Sequence, residues 1–334
     1  MTIESRVEHL HNGTAKIGCL LNPLGGQARK RIDAIQHALS KLPEIILCEA
    51  TDAPTFKTAF DTLLQHDIDL FIVIAGDGTT LAILGHLFAK LPPSEWPILM
   101  IIPGGTTNMT SLDLGIRGKP EQVLYRLHNY LQNPSEPKLV QRPALCIKQA
   151  GRDTIYGMFF AVGLVARGVK FSRKKIKRLG ITGGIFTLLI MLRSAIGMIV
   201  GMLLGRHQSE WAPVEMSMTE NNGRTHQGTY LSALVSALDC LLLDMRPYWG
   251  KEQAPLHVTL IDQKRKRLWR SLWPLLSGRG HILKEADGYY SHNTSSLTLQ
   301  LDDEYIVDGE LYQSVGKDKP LQISASQPIS FLVL

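Results

Sequence analysis

The sequence predicts an α/β doubly wound N-terminal domain followed by a mainly antiparallel β-sandwich C-terminal domain. Two observations carry this. Through about residue 140, short continuous apolar runs alternate with segments of helical spacing; beyond it, strand-like runs succeed one another and one long helical segment interrupts them. The first pattern is that of buried parallel strands with crossover helices, and the second that of antiparallel sheets. A length of 334 residues accommodates about two domains at roughly 100–200 residues each.

The expected strands of the first domain are Lys16 to Leu21, Ile45 to Cys48, Leu70 to Ala75 and Ile98 to Ile102, each bounded by Gly, Pro or Asn. Helical spacing runs over Gln27 to Leu42, Pro54 to Gln65, Thr79 to Leu91 and Lys119 to Leu131. The order βαβαβαβ places ligands in the loops beyond the carboxyl ends of the strands. The Pro-bearing stretch from Asn133 to Pro143 reads as a linker, so the expected domains are 1–141 and 142–334. In the second, Leu145 to Lys148, Ile155 to Val162, Thr229 to Ala237, His257 to Ile261, Ser296 to Leu301 and Pro328 to Leu334 read as strands, with a helical insertion near 170–205.

Composition narrows the class. With 44% apolar and 20% charged residues the chain is globular. The net charge of +6 is unevenly spread. Seven cations lie between Arg167 and Arg178 without an acid, and five more between Lys264 and Arg270. Removing those 12 leaves 24 cations against 30 acids, or −6. Two basic patches on an acidic protein suit phosphates or an anionic membrane; no recognised nucleic-acid module accompanies them, so nucleic acid is not an expected partner. Cys19, Cys48, Cys146 and Cys240 are widely spaced, with no CxxC pair and no His at metal-ligand spacing. They read as buried thiols of a reducing compartment. The first residues lack the apolar stretch of a signal peptide, and the expected location is cytoplasmic.

Three glycine loops follow three of the first domain's strands: Asn22-Pro23-Leu24-Gly25-Gly26, Gly76-Asp77-Gly78-Thr79-Thr80 and Pro103-Gly104-Gly105-Thr106-Thr107-Asn108. Glycine permits close backbone approach, and N–H groups at a helix start with Thr hydroxyls make an anion site. There is no G-x-x-x-x-G-K-[ST] and no G-x-G-x-x-G after the first strand, which excludes a P-loop and disfavours an ordinary dinucleotide fold. An acid between two glycines would repel phosphate unless paired with a metal or a mobile proton, which makes Asp77 a chemical residue.

These ordered motifs, together with Val307-Asp308-Gly309-Glu310 near the C-terminus, resemble the diacylglycerol kinase catalytic domain family, which includes bacterial diacylglycerol kinases, sphingosine kinases and ceramide kinases and is related to NAD kinases. Lys177-Arg178-Leu179-Gly180 is similar to sphingosine kinases in particular. The resemblance implies ATP held by Asn22, Gly25, Gly26, Gly76, Gly78, Thr79, Gly104, Gly105, Thr106 and Thr107, with Lys177 or Arg178 neutralising phosphate charge. It implies Asp77, Asp308 and Glu310 as catalytic residues and as ligands of Mg²⁺, with the reaction in the cleft between the domains. The expected activity is transfer of the γ-phosphate of ATP to a hydroxyl of a diacylglycerol-, sphingoid- or ceramide-like lipid. The alternatives are a NAD kinase-like enzyme and a non-catalytic lipid-binding or regulatory protein of the same fold. Departures from the family pattern are Ala75 in place of a glycine, Met109 in place of a frequent Asp, no clear Asp-Gly pair between Met245 and Ile261, and basic residues where sphingosine kinases carry acids.

Ile185 to Leu204 is 20 residues with one charge, long enough as a helix to span about 30 Å. Arg193 near its centre opposes insertion, at about 2.5–3.5 kcal/mol. The expected role is a helix lining an acyl pocket or dipping into a membrane interface, with the preceding cations anchoring it to anionic lipid; the alternative is a plain core or inter-domain helix. Lys264 to Arg270, with Trp269 and Trp273, is the second expected membrane-facing cluster, giving a peripherally membrane-associated protein.

Overall fold

The computed structural model describes residues 1–42, 44–179 and 212–334, and of 172–179 the backbone. The chain divides into two compact units, residues 1–142 with 327–334, and residues 143–326.

The first unit is built on a six-stranded sheet. In chain order its elements are α1 (Ile3–His11), β1 (Ile17–Leu21), α2 (Ile32–Leu39), β2 (Ile46–Glu49), α3 (Ala53–Gln65), β3 (Leu70–Ala75), α4 (Asp77–Lys90), β4 (Ile98–Pro103), α5 (Met109–Asp113), α6 (Pro120–Gln132) and β5 (Leu139–Arg142), with β17 (Ile329–Leu332) from the C-terminus. The strand order is β2-β1-β3-β4-β17-β5, and β2, β1, β3 and β4 run parallel. The chain moves outward from β1 to β2, then crosses to the other side of β1 to make β3. That reversal is a topological switch point between β1 and β3, where the carboxyl-end loops of neighbouring strands diverge.

Local sequence explains the helices. Asp52 and Thr55 form a reciprocal capping box at the start of α3, a device worth about 1 kcal/mol. Phe56, Ala59, Phe60 and Leu63 then recur on one buried face, and Phe60 meets Phe71 of β3 with ring centroids 5.7 Å apart. The first segment with helical spacing is shorter than its pattern. Residues 29–31 form a 3₁₀ turn and the α-helix starts at Ile32, because the amides of Gln27 and Ala28 both donate to the Gly104 carbonyl, at 2.9 and 3.0 Å.

The C-terminal run, expected in the β domain, is instead the fifth strand of the first sheet. Phe331 pairs with Leu99 of β4 in parallel, and residues 329–332 pair with β5 antiparallel. The reason is burial. All four residues of β17 are buried, and a run apolar on both faces suits a helix-covered sheet better than one with a wet face.

The second unit contains β6 (Leu145–Lys148), β7 (Ile155–Gly157), β8 (Phe159–Gly163), α7 (Leu164–Leu179), β9 (Val214–Glu220), β10 (Thr225–Ser236), β11 (Leu256–Asp262), α8 (Leu268–Leu276), β12 (Tyr289–Thr294), β13 (Ser296–Leu301), β14 (Glu304–Val307), β15 (Glu310–Gln313) and β16 (Leu321–Ala325). All of its strand pairs are antiparallel. They join into one 11-stranded hydrogen-bonded sheet, ordered β15-β14-β8-β10-β9-β13-β16-β6-β7, with β11 pairing β10 and β12. Phe160, Val162, Tyr305, Val307 and Leu299 lie in its buried core. Among the described residues no helix is long and apolar enough to cross a membrane; the stretch Ile185 to Leu204 lies outside them.

Candidate functional site

The three glycine loops meet at the carboxyl edge of β1, β3 and β4. The Asn22 amide donates to Ile74 O at 3.0 Å, and its side-chain Nδ2 donates to Thr79 Oγ1 at 3.4 Å. Asn22 Oδ1 accepts from the Leu24 amide at 3.0 Å, shaping the first loop. Asn108, in the left-handed region at φ 52, locks the third loop: its Oδ1 accepts from the Gly105 amide at 2.8 Å and its Nδ2 donates to Gly105 O at 3.1 Å. The sequence shows Asn108 as the last residue of a motif, but not its role as a buried loop lock.

Most of the glycines serve approach between loops. A Cβ on Gly105 would lie 2.4 Å from Gly76 Cα, one on Gly25 2.8 Å from Gly104 O, one on Gly104 2.8 Å from the Ala75 nitrogen, and one on Gly26 2.7 Å from Thr106 Oγ1. Gly76 packs against Gly105 Cα from the other side. Gly78 differs. It is exposed, and a Cβ there would meet nothing within 4 Å.

Gly76 is the extended N-cap of α4 and offers no side-chain cap, so the 14-residue helix begins without one. Asp77 is its first residue, where the positive end of the helix favours a carboxylate. Its Oδ2 accepts a short hydrogen bond from Thr107 Oγ1, and the Thr110 amide reaches Oδ1 at 3.5 Å. Asp77 and Thr107 are half-buried, whereas Gly78 and Thr106 are exposed. An exposed N-terminal turn flanked by a hydroxyl-bearing loop is the kind of surface that takes phosphate oxygens. The donors beside it are hard oxygens, a carboxylate and a hydroxyl, and this set fits Mg²⁺.

The other expected carboxylates lie in the second unit. Val307 pairs with Glu310, leaving Asp308 and Gly309 as a two-residue hairpin turn with φ 47 and 87, the type I′ geometry that Asp-Gly favours. Asp308 Oδ2 accepts from the Met158 amide at 2.9 Å and Oδ1 from the Phe159 amide at 2.8 Å. Its own amide donates to Phe159 O at 2.9 Å. Glu310 is exposed at the start of β15. Burial, and then the Glu310 and Asp308 carboxylates, push the Tyr312 hydroxyl above its ordinary pKa.

The two basic stretches differ from a bare cationic surface. Arg167 Nη2 is 2.6 Å from Asp303 Oδ2, and Lys170 Nζ is 2.6 Å from Glu304 Oε1. Lys177 and Arg178 end α7, and their side chains lie outside the described residues. In the second stretch burial lowers the pKa of Arg265, opposed by Tyr289 and Asp262, and Lys266 is 3.8 Å from Asp287. Helix α8 follows, with Trp269 and Trp273 one turn apart and 57% and 72% exposed. All four cysteines are free thiols, and burial pushes that of Cys19 well up.

Residues 16–136 match the family model of the diacylglycerol kinase catalytic domain. That span holds all three glycine loops and Asp77. Among solved structures, "A putative diacylglycerol kinase from Bacillus anthracis str. Sterne" is 17% identical, with a TM-score of 0.64 over 96% of this chain and 97% of that one. A diacylglycerol kinase structure from the same organism is 15% identical, with a TM-score of 0.60 and the same coverage. No curated protein matches by sequence. Residues 16–136 thus match the family model of the diacylglycerol kinase catalytic domain, and nearly the whole chain shares the fold of the Bacillus anthracis structures.

Proposed function

We propose that the protein is an ATP-dependent lipid kinase that transfers the γ-phosphate to a hydroxyl of a diacylglycerol-, sphingoid- or ceramide-like lipid. The observation that carries this is the convergence of three interlocked glycine loops on Asp77 at the switch point of a parallel sheet. Phosphoryl transfer needs positioning, charge stabilisation and an acceptor for the hydroxyl proton more than it needs covalent chemistry. Thr79 and Thr106, with the first-turn amides of α4, bind and orient the phosphates, and Thr107 donates its hydroxyl hydrogen bond to Asp77. Asp77, whose direction is fixed by Thr107, accepts the proton of the lipid hydroxyl. Mg²⁺, which the oxygen donors beside the loops fit, supplies neutralisation of phosphate charge when bound. Glu310 is the second unit's candidate carboxylate, and Asp308, whose oxygens accept from two amides of the sheet, is assigned to the turn that presents it.

The exposed Trp269 and Trp273, with Arg267 and Arg270 beside them, are proposed to rest on an anionic membrane surface from which the lipid is drawn. Incubation of the purified chain with labelled ATP, Mg²⁺ and a panel of diacylglycerols, monoacylglycerols, sphingoid bases, ceramides and NAD tests the reading. A labelled lipid that disappears in Asp77→Asn supports it. Label in NAD alone, or vesicle binding without ATP consumption, sinks it.

A further inference from the structure

A second constellation lies in the second unit. The tip of the β9–β10 hairpin brings Glu220 and His226 together, and β12 adds His292. One donor atom from each lies within 4.8 Å of the others. Glu220 is 2% and His292 5% exposed, and His226 is nearly buried, with 12% of its side chain accessible. Glu220 Oε1, His226 Nε2 and His292 Nε2 are all buried, and none has a hydrogen-bond partner among the described residues. His226 Nε2 and Glu220 Oε1 stand 4.0 Å apart, too far for a hydrogen bond. Three buried polar atoms without partners, gathered about one point, are costly unless something occupies it.

The surroundings orient each group toward that point. Glu220 Oε2 is engaged by Asn222 Nδ2 at 3.3 Å and faced by Arg224 at 3.9 Å, which leaves Oε1 to turn inward. His292 Nδ1 is 3.6 Å from Glu252 Oε1. Glu252 is itself held by the Asn293 amide at 2.9 Å and by Arg224 at 3.0 Å. The 3.6 Å between His292 and Glu252 is longer than a hydrogen bond, but it places a carboxylate behind the outer ring nitrogen, the position from which such a group orients a ligating histidine. The two imidazoles stack, with ring centroids 5.3 Å apart and 24° between planes.

We propose that Glu220, His226 and His292 bind a divalent ion of the Zn²⁺ class, fastening the β9–β10 hairpin to β12. Two imidazole nitrogens and one carboxylate oxygen suit Zn²⁺, with water completing a tetrahedron. They do not suit Mg²⁺, which prefers oxygen and keeps its waters, so this ion is separate from the one that accompanies ATP. Nothing in the glycine-loop chemistry requires it.

The test uses the full chain, stripped with chelator and titrated with Zn²⁺ by calorimetry, with metal content measured after dialysis. The expected result is one Zn²⁺ per chain, a rise in Tm on adding Zn²⁺, and ligand-field bands of a low-coordinate site with Co²⁺ in its place. Excess Mg²⁺ should not compete. Glu220→Gln, nearly isosteric, should lose the stoichiometric ion and the Tm rise. Glu252→Gln should keep the stoichiometry and bind about 10–100-fold more weakly, which keeps the test decisive if the first variant folds poorly. Absence of a stoichiometric ion in the parent chain, or the same affinity in all three proteins, overturns the proposal.

Discussion

Two of the chain's three Asp-Gly pairs follow the carboxyl end of a strand, and their carboxylates meet opposite surroundings. At Asp77 the pair opens a helix, its glycine is exposed, and the carboxylate is aimed by the Thr107 hydroxyl. At Asp308 the pair closes a hairpin with both residues at positive φ, and both carboxylate oxygens accept amides at the start of β8. One carboxylate is oriented by a side chain at an exposed helix start and remains suited to chemistry. The other is bound by the backbone of the sheet and holds a turn. The dipeptide Asp-Gly does not distinguish them. The periodicity of the next segment does, since a helix after Asp77 leaves amides uncovered and a strand after Asp308 uses them.

The sharpest way to break this contrast is to neutralise each acid. Asp77→Asn should cut lipid phosphorylation by about 10²–10⁴-fold while leaving the melting temperature close to that of the parent chain. A large loss of stability instead would make Asp77 a turn residue too. Asp308→Ala removes two charge-assisted bonds and orphans the amides of Met158 and Phe159, which are 1% and 7% exposed. The expected cost is about 2–4 kcal/mol in urea unfolding. Full stability with abolished activity would return Asp308 to the reacting atoms.

The legible parts of this molecule are those in which one local pattern carries the structure. Buried runs such as Leu70–Ala75 announce parallel strands, and the glycines after them announce the loops. The type I′ turn is equally legible, since Asp-Gly between Val307 and Glu310 is a hairpin signal. The long-range arrangements are not. β17 shares its sheet with β4 and β5, nearly 190 residues earlier in the case of Gln141 and Ser330, and no local pattern says which sheet an apolar strand will join. His292 meets Glu220 and His226 only because β12 and β13 run past the β9–β10 hairpin, where Thr294 Oγ1 donates to Asn221 Oδ1 at 2.8 Å. No sequence spacing announces that cluster. The Arg167–Arg178 run reads as exposed charge in the sequence, yet Arg167 and Lys170 meet Asp303 and Glu304, acids more than 130 residues away.

The glycines of the first unit give a finer division of the same kind. Gly105→Ala places a methyl 2.4 Å from Gly76 Cα, backbone against backbone, so the second and third loops must separate. Stability should fall by about 1–3 kcal/mol, as for other overpacking, and activity should fall with it. Gly78→Ala should split the two readouts. Its methyl meets nothing and lies in the first turn of α4, where alanine is favoured over glycine by up to about 1 kcal/mol. The variant should therefore melt at or slightly above the parent temperature. If the terminal phosphates approach that turn, the added methyl stands where they lie, and KM for ATP should rise with stability intact. An unchanged KM would mean that Gly78 is open to solvent alone, and would move the nucleotide away from the Asp77 turn.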